Sequence, residues 1–132
     1  MGHTEMRDLE RLALDQVGQW ISARRDDLAR SGKRLLAVVA FGPVVQHTSM
    51  DELNLIEVVE PQEKATTQDI TETLALDPRL FGRVGLVSIS RADLEKAISA
   101  RTPLALNLLL GFKVLVESKG LGLRRRLGQN AA

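Results

Sequence analysis

One stretch constrains the fold more than any other. Leu35-Leu36-Ala37-Val38-Val39-Ala40-Phe41 is an unbroken aliphatic run, closed by Gly42-Pro43. Apolar residues at every position suit a strand buried on both faces, since a half-exposed strand alternates apolar with polar. Gly42-Pro43 ends it, because glycine permits a tight turn and proline cannot donate to a sheet ladder. Ten residues after the glycine, residues 52–59 read as a second strand with polar Glu52 and Asn54 at alternate positions, closed by Glu60-Pro61.

The remaining chain is organised around that pair. Residues 4–30 predict a long amphipathic helix, with Met6, Leu9, Ala13, Val17, Trp20 and Leu28 at helical spacing, Thr4 as N-cap and Gly32 as the stop. Trp20 sits in the apolar stripe and reads as a core anchor; stacking against a ligand is its alternative role. A helix is expected from Thr66 or Thr67 to about Leu76, stopped by Asp77-Pro78, and a third strand from Arg83 to Ile89. Ser90 with Asp93 forms a capping-box variant, and Thr102-Pro103 starts another helix, with Leu104, Leu108 and Leu109 facing inward and Gly111 ending it. Lys113 to Glu117 is a short last strand, and residues 119–132 are expected to be a flexible basic tail. The whole, residues 1–132, is expected to be a single α/β (α+β) domain: a mixed sheet of about four strands, helices packed on one face and the other face partly open.

Composition narrows the chemistry. The chain has no cysteine and two histidines, His3 and His47, which argues against a thiolate nucleophile or an all-protein zinc centre. Three Phe and one Trp leave an aliphatic core. The longest apolar run, Leu35 to Val45, is 11 residues, against roughly 20 for a membrane-spanning helix. With a polar N-terminus unlike a secretion signal, a cytoplasmic protein is the expectation. Net charge is +1, but residues 51–77 hold eight acids against Lys64, and residues 113–126 hold five bases against Glu117. Such asymmetry either marks a partner surface or is scattered solvated charge.

Val38-Val39-Ala40-Phe41-Gly42, Asp51-Glu52-Leu53-Asn54-Leu55-Ile56 and Arg83-Val84-Gly85-Leu86-Val87 together resemble the DNA polymerase β-like nucleotidyltransferase superfamily, especially its minimal members. Thr102-Pro103-Leu104 and Gly111-Phe112-Lys113-Val114-Leu115 are similar to their closing helix and strand, so the likeness spans roughly residues 34–117. In that superfamily the first strand ends in Gly-Ser, the next carries Asp-x-Asp, and a later strand supplies a third aspartate. Two divalent ions held by those carboxylates clamp the attacking and leaving oxygens.

Here the resemblance implies a degenerate member. Glu52 stands for the first aspartate and keeps a carboxylate. Asn54 stands for the second and keeps only a neutral oxygen. Gly85, at the third position, has no side chain. Pro43 replaces the serine that would hold triphosphate beside Gly42, and offers neither hydroxyl nor N–H. Hard cations need anionic oxygens, so no cofactor is expected. The resemblance then implies a catalytically inactive protein with a regulatory or antitoxin-like role, acting through a protein partner or by self-association. The alternative is an active magnesium-dependent nucleotidyltransferase using Glu52, Asn54 and Asp51.

Other candidates carry less. Arg124-Arg125-Arg126 could neutralise a few phosphates, which makes a small RNA-binding module a further alternative, although no aromatic is interleaved to stack a base. His47 reads as an exposed loop residue. Glu57 interrupts the apolar second strand; it reads as emerging at the sheet edge, or as paired with an arginine such as Arg83. Ser88 and Ser90 lack a nucleophile context, and Gly120-x-Gly122 lacks the strand–turn–helix setting of a phosphate loop.

Overall fold

The computed structural model describes residues 3–74 and 82–130. Helix α1 (His3–Arg30) leads into strand β1 (Arg34–Phe41), a single turn α2 (Pro43–Gln46) and strand β2 (Glu52–Glu60). Strand β3 (Thr66–Asp69), the turn α3 (Thr71–Leu74) and strand β4 (Arg83–Ile89) follow. Helices α4 (Arg91–Ala100) and α5 (Pro103–Leu110), strand β5 (Phe112–Glu117) and helix α6 (Leu123–Asn130) complete the order.

The sheet runs β3-β4-β2-β1-β5. β2 and β4 are parallel, and every other neighbouring pair is antiparallel. β1 is buried along all but its first residue, as its unbroken aliphatic run requires. The two faces hold separate cores. α1 covers one: Leu9, Ala13, Val17 and Ile21 recur every fourth residue, all buried, and the core on this face joins Val17 and Ile21 to Val38, Leu55 and Leu86. The other face packs Val39, Ile56 and Val58 against Leu94 and Ile98 of α4, Leu108 of α5 and Leu123 and Leu127 of α6.

Helices on both faces correct the expected one-sided packing. Alternate residues of β1 and β2 point to opposite faces and nearly all are apolar, so each face needs a cover. The sheet also has five strands rather than about four. The extra strand is β3, at residues expected to open a helix: Thr66-Thr67-Gln68-Asp69 pair antiparallel with Ser88 to Gly85. All four are exposed, so no apolar alternation marked them; two β-branched threonines suit a strand, and pairing satisfies the free edge of β4. The expected end of that helix, Leu76 with Asp77-Pro78, lies outside the described residues.

The expected flexible tail is corrected as well. Gly120 and Gly122 turn the chain with positive φ, and α6 then buries Leu123 and Leu127, one turn apart, in the second core. The caps agree with expectation where they were read most specifically. Ser90 Oγ accepts the Asp93 N–H at 3.0 Å, and Thr102 Oγ1 accepts that of Ala105 at 3.4 Å. At the N-terminus α1 includes His3, so Thr4 lies within its first turn rather than capping it. Among the described residues no helix is long and apolar enough to cross a membrane.

Candidate functional site

β1 delivers its chain to Gly42, whose φ of 95° lies in the region that favours glycine, and Pro43 begins α2. In the sheet, Asn54 of β2 is flanked by Phe41 on one side and Gly85 on the other. The Asn54 carboxamide fills the space between the two glycines. A Cβ at Gly42 would lie 2.5 Å from Asn54 Nδ2, and one at Gly85 would lie 3.0 Å from Oδ1. Sequence positions 42, 54 and 85 thus converge on one side chain. Glu52, two residues before Asn54 and on the same face of β2, is half-buried and pairs in register with Arg83. Pro43 sits at the first position of α2, a single turn.

This arrangement supplies one charged oxygen donor, Glu52, and one neutral one, Asn54. Asp51 belongs to the turn: its N–H donates to Ser49 Oγ at 2.9 Å and its carbonyl accepts from Arg83 N–H at 2.9 Å. Among the described residues, no group of three or more His, Cys, Asp or Glu side chains is placed to hold a metal. Arg124 and Arg125 are exposed in the first turn of α6, far along the chain from this frame; Arg126 lies in the same turn.

Two polar clusters on the α1 face were not legible in the sequence. The first centres on Glu10, which is buried although charged. Its carboxylate is bonded by His47, the left-handed C-cap of α2, and by Lys113 of β5. His47 is therefore half-buried and tied down, not an exposed loop residue. The three line a cavity of about 760 Å³ with Arg7, Arg11 and Asp15. The only sequence signal was an acid beside the buried stripe of α1.

The second cluster corrects the reading of Glu57. β2 is the central strand, so Glu57 is nowhere near an edge; it is fully buried, and its partner is Arg24 of α1 rather than Arg83. Arg24 grips it side-on, Nε to Oε2 at 3.0 Å and Nη2 to Oε1 at 2.6 Å. The bond to the Glu57 carboxylate holds the guanidinium above its already high ordinary pKa, against the opposing effect of burial. Arg83 instead faces Asp69, at 3.7 Å. Trp20 packs against the α1-side core, as expected of an anchor, but it also lines a cavity of about 500 Å³ beside Arg24. Ser88 is buried on β4, where its hydroxyl lies 3.5 Å from Gln62 Nε2; Ser90 is the cap of α4. Compared with known proteins, the chain matches no protein-family model and no curated protein.

Proposed function

We propose that this chain is a nucleotidyltransferase-type scaffold that has lost its metal site and works as a binding protein, in a regulatory or antitoxin-like role. The observation that carries this reading is the position of Asn54, whose carboxamide occupies the space between Gly42 and Gly85. These are the three positions at which the resembled superfamily places its phosphate turn and two of its carboxylates. Glycine and asparagine at two carboxylate positions remove two of three formal charges, and magnesium is held by anionic oxygens. Contact with a protein is supported by α5, which exposes Leu106 by 49% and Leu110 by 71%, one turn apart; a second copy of the chain is the occupant to test first.

Three measurements test the proposal. Manganese titration should show no binding to the wild-type chain, and Asn54→Asp, which restores a carboxylate two residues from Glu52, should gain it. Magnesium-dependent transfer of a nucleotidyl group by the wild type, lost in Glu52→Ala, would overturn the reading in favour of an enzyme. Sedimentation equilibrium should show self-association that Leu106→Glu/Leu110→Glu abolishes at unchanged Tm; a wild-type monomer at every concentration would remove this surface as a self-contact.

A further inference from the structure

The cavity beside Trp20 has a construction that the Asn54 frame does not account for. Its floor is apolar, made by the buried side chains of Ile70, Leu74 and Leu86, and its volume is about 500 Å³, within the range of small-ligand sites. Trp20, Arg24 and Asp27 line one wall; spaced four and three apart on α1, they share one helix face. Exposed Gln68 of β3 lines the cavity as well.

Arg24 is held by two hydrogen bonds to one carboxylate. Its Nε and Nη2 are clamped on the fully buried Glu57. Replacing a buried ion pair by apolar residues is often neutral or stabilising, so stability alone gives little reason for a carboxylate at the centre of this sheet. Positioning does: the side-on grip fixes the guanidinium plane and, among the described residues, leaves its end-on edge, Nη1–H with the second Nη2–H, for another acceptor pair. Asp27 Oδ1 accepts from Arg30 at 2.6 Å, and Oδ2 is the oxygen outside that bond.

We propose that this cavity binds a guanine base. The ring stacks on the Trp20 indole, the O6/N7 edge accepts from Arg24, and the N1–H and N2–H₂ donors meet the Asp27 carboxylate. Arginine paired to O6 and N7 is the commonest specific recognition of guanine, and a carboxylate accepts but cannot donate. Adenine offers an amino donor where guanine has O6 and lacks the N1–H, so it mismatches both partners. Glu57 is then a positioning residue that acts through Arg24.

Trp20 is the only tryptophan in the chain, so the single indole emission comes from a side chain that lines this cavity. Guanosine, without metal or triphosphate, should quench that emission saturably, and adenosine should bind roughly tenfold more weakly. Asp27→Asn, at an exposed position, should cut the guanosine preference by about threefold, the Arg24 pairing to O6 and N7 keeping the rest. Calorimetry on the same samples covers binding that leaves the emission unchanged. A single-stranded oligonucleotide with one guanine separates the sources: tighter binding than guanosine assigns the site to nucleic acid, weaker binding to the free nucleoside. No saturable binding of guanosine by either method, equal affinity for adenosine, or a preference unchanged in Asp27→Asn would overturn the proposal.

Discussion

Glu57 stands in the middle of the sheet with none of its surface exposed, and its two hydrogen bonds from Arg24 offset the loss of water. Arg24→Met leaves that carboxylate unpaired and should cost about 3–5 kcal/mol in urea denaturation. The double variant Arg24→Met/Glu57→Met should recover most of the loss, which a merely steric defect at Arg24 would not allow. Backbone proximity sets a second residue-scale limit. A Cβ at Gly82 would lie 1.8 Å from the Asp51 carbonyl oxygen, whereas the close neighbour of Gly42 is the tip of the Asn54 side chain. Gly82→Ala should therefore lower Tm far more than Gly42→Ala, since backbone cannot move aside as a side chain can.

Asp69 has a pH signature. The Thr71 hydroxyl, then the Thr71 N–H at 2.9 Å, donate to its carboxylate and hold its pKa below the ordinary value. A depressed folded-state pKa contributes stability above the unfolded-state value of about 3.9, and that contribution is lost as pH falls through the folded-state pKa. Thr71→Val removes the larger cause. The Asp69 carboxyl midpoint, followed by NMR, should then move upward, and the acid side of the stability profile should flatten.

Among the elements, α6 and β3 show why local pattern misleads. Residues 120–128 look like alternating glycine, leucine and arginine, yet Leu123 and Leu127 are one turn apart and almost wholly buried. The exposed Arg124 and Arg125 fall on the solvent side of the same helix. Glu117 of β5 helps start it, accepting the Leu123 N–H at 3.0 Å. Leu127→Ala should cost about 2–4 kcal/mol by thermal or urea unfolding, while Arg125→Ala should stay within about 0.5 kcal/mol. Equal, small effects would return this segment to a detached tail. β3 is the converse case: four exposed residues carry no core signal, and the unpaired edge of β4 makes them a strand.

Across the whole molecule, Glu10 ties three distant segments together. It joins α1 to His47, 37 residues away, and to Lys113, 103 residues away. Both partners reach solvent and the carboxylate does not, so the groups are not equivalent. Removing either partner leaves Glu10 with the other and should cost about 1 kcal/mol. Removing both, as His47→Ala/Lys113→Ala, strands a buried charge and should cost more than the sum of the single losses, by about 1–3 kcal/mol in a double-mutant cycle.

Much of the architecture was decided locally. The aliphatic run of β1, the fourfold spacing in α1, the Ser90 and Thr102 caps and the Gly42-Pro43 stop are short-range effects of side-chain periodicity and backbone geometry, and each is readable without knowing its neighbours. Candidate positions Gly42, Asn54 and Gly85 could be named in the same way. That they meet at one carboxamide depends on the antiparallel register of β1 with β2 and the parallel register of β2 with β4, which pair residues far apart in the chain. The same holds for Glu57 with Arg24 and for Glu10 with His47 and Lys113. A charge in an apolar stripe shows that a partner is needed, and only the packing of helix against sheet determines which one. The first strand and its glycine thus set the frame from sequence alone, while tertiary structure decided that Asn54 fills it, because cross-strand neighbours are chosen by register and burial rather than by distance along the chain.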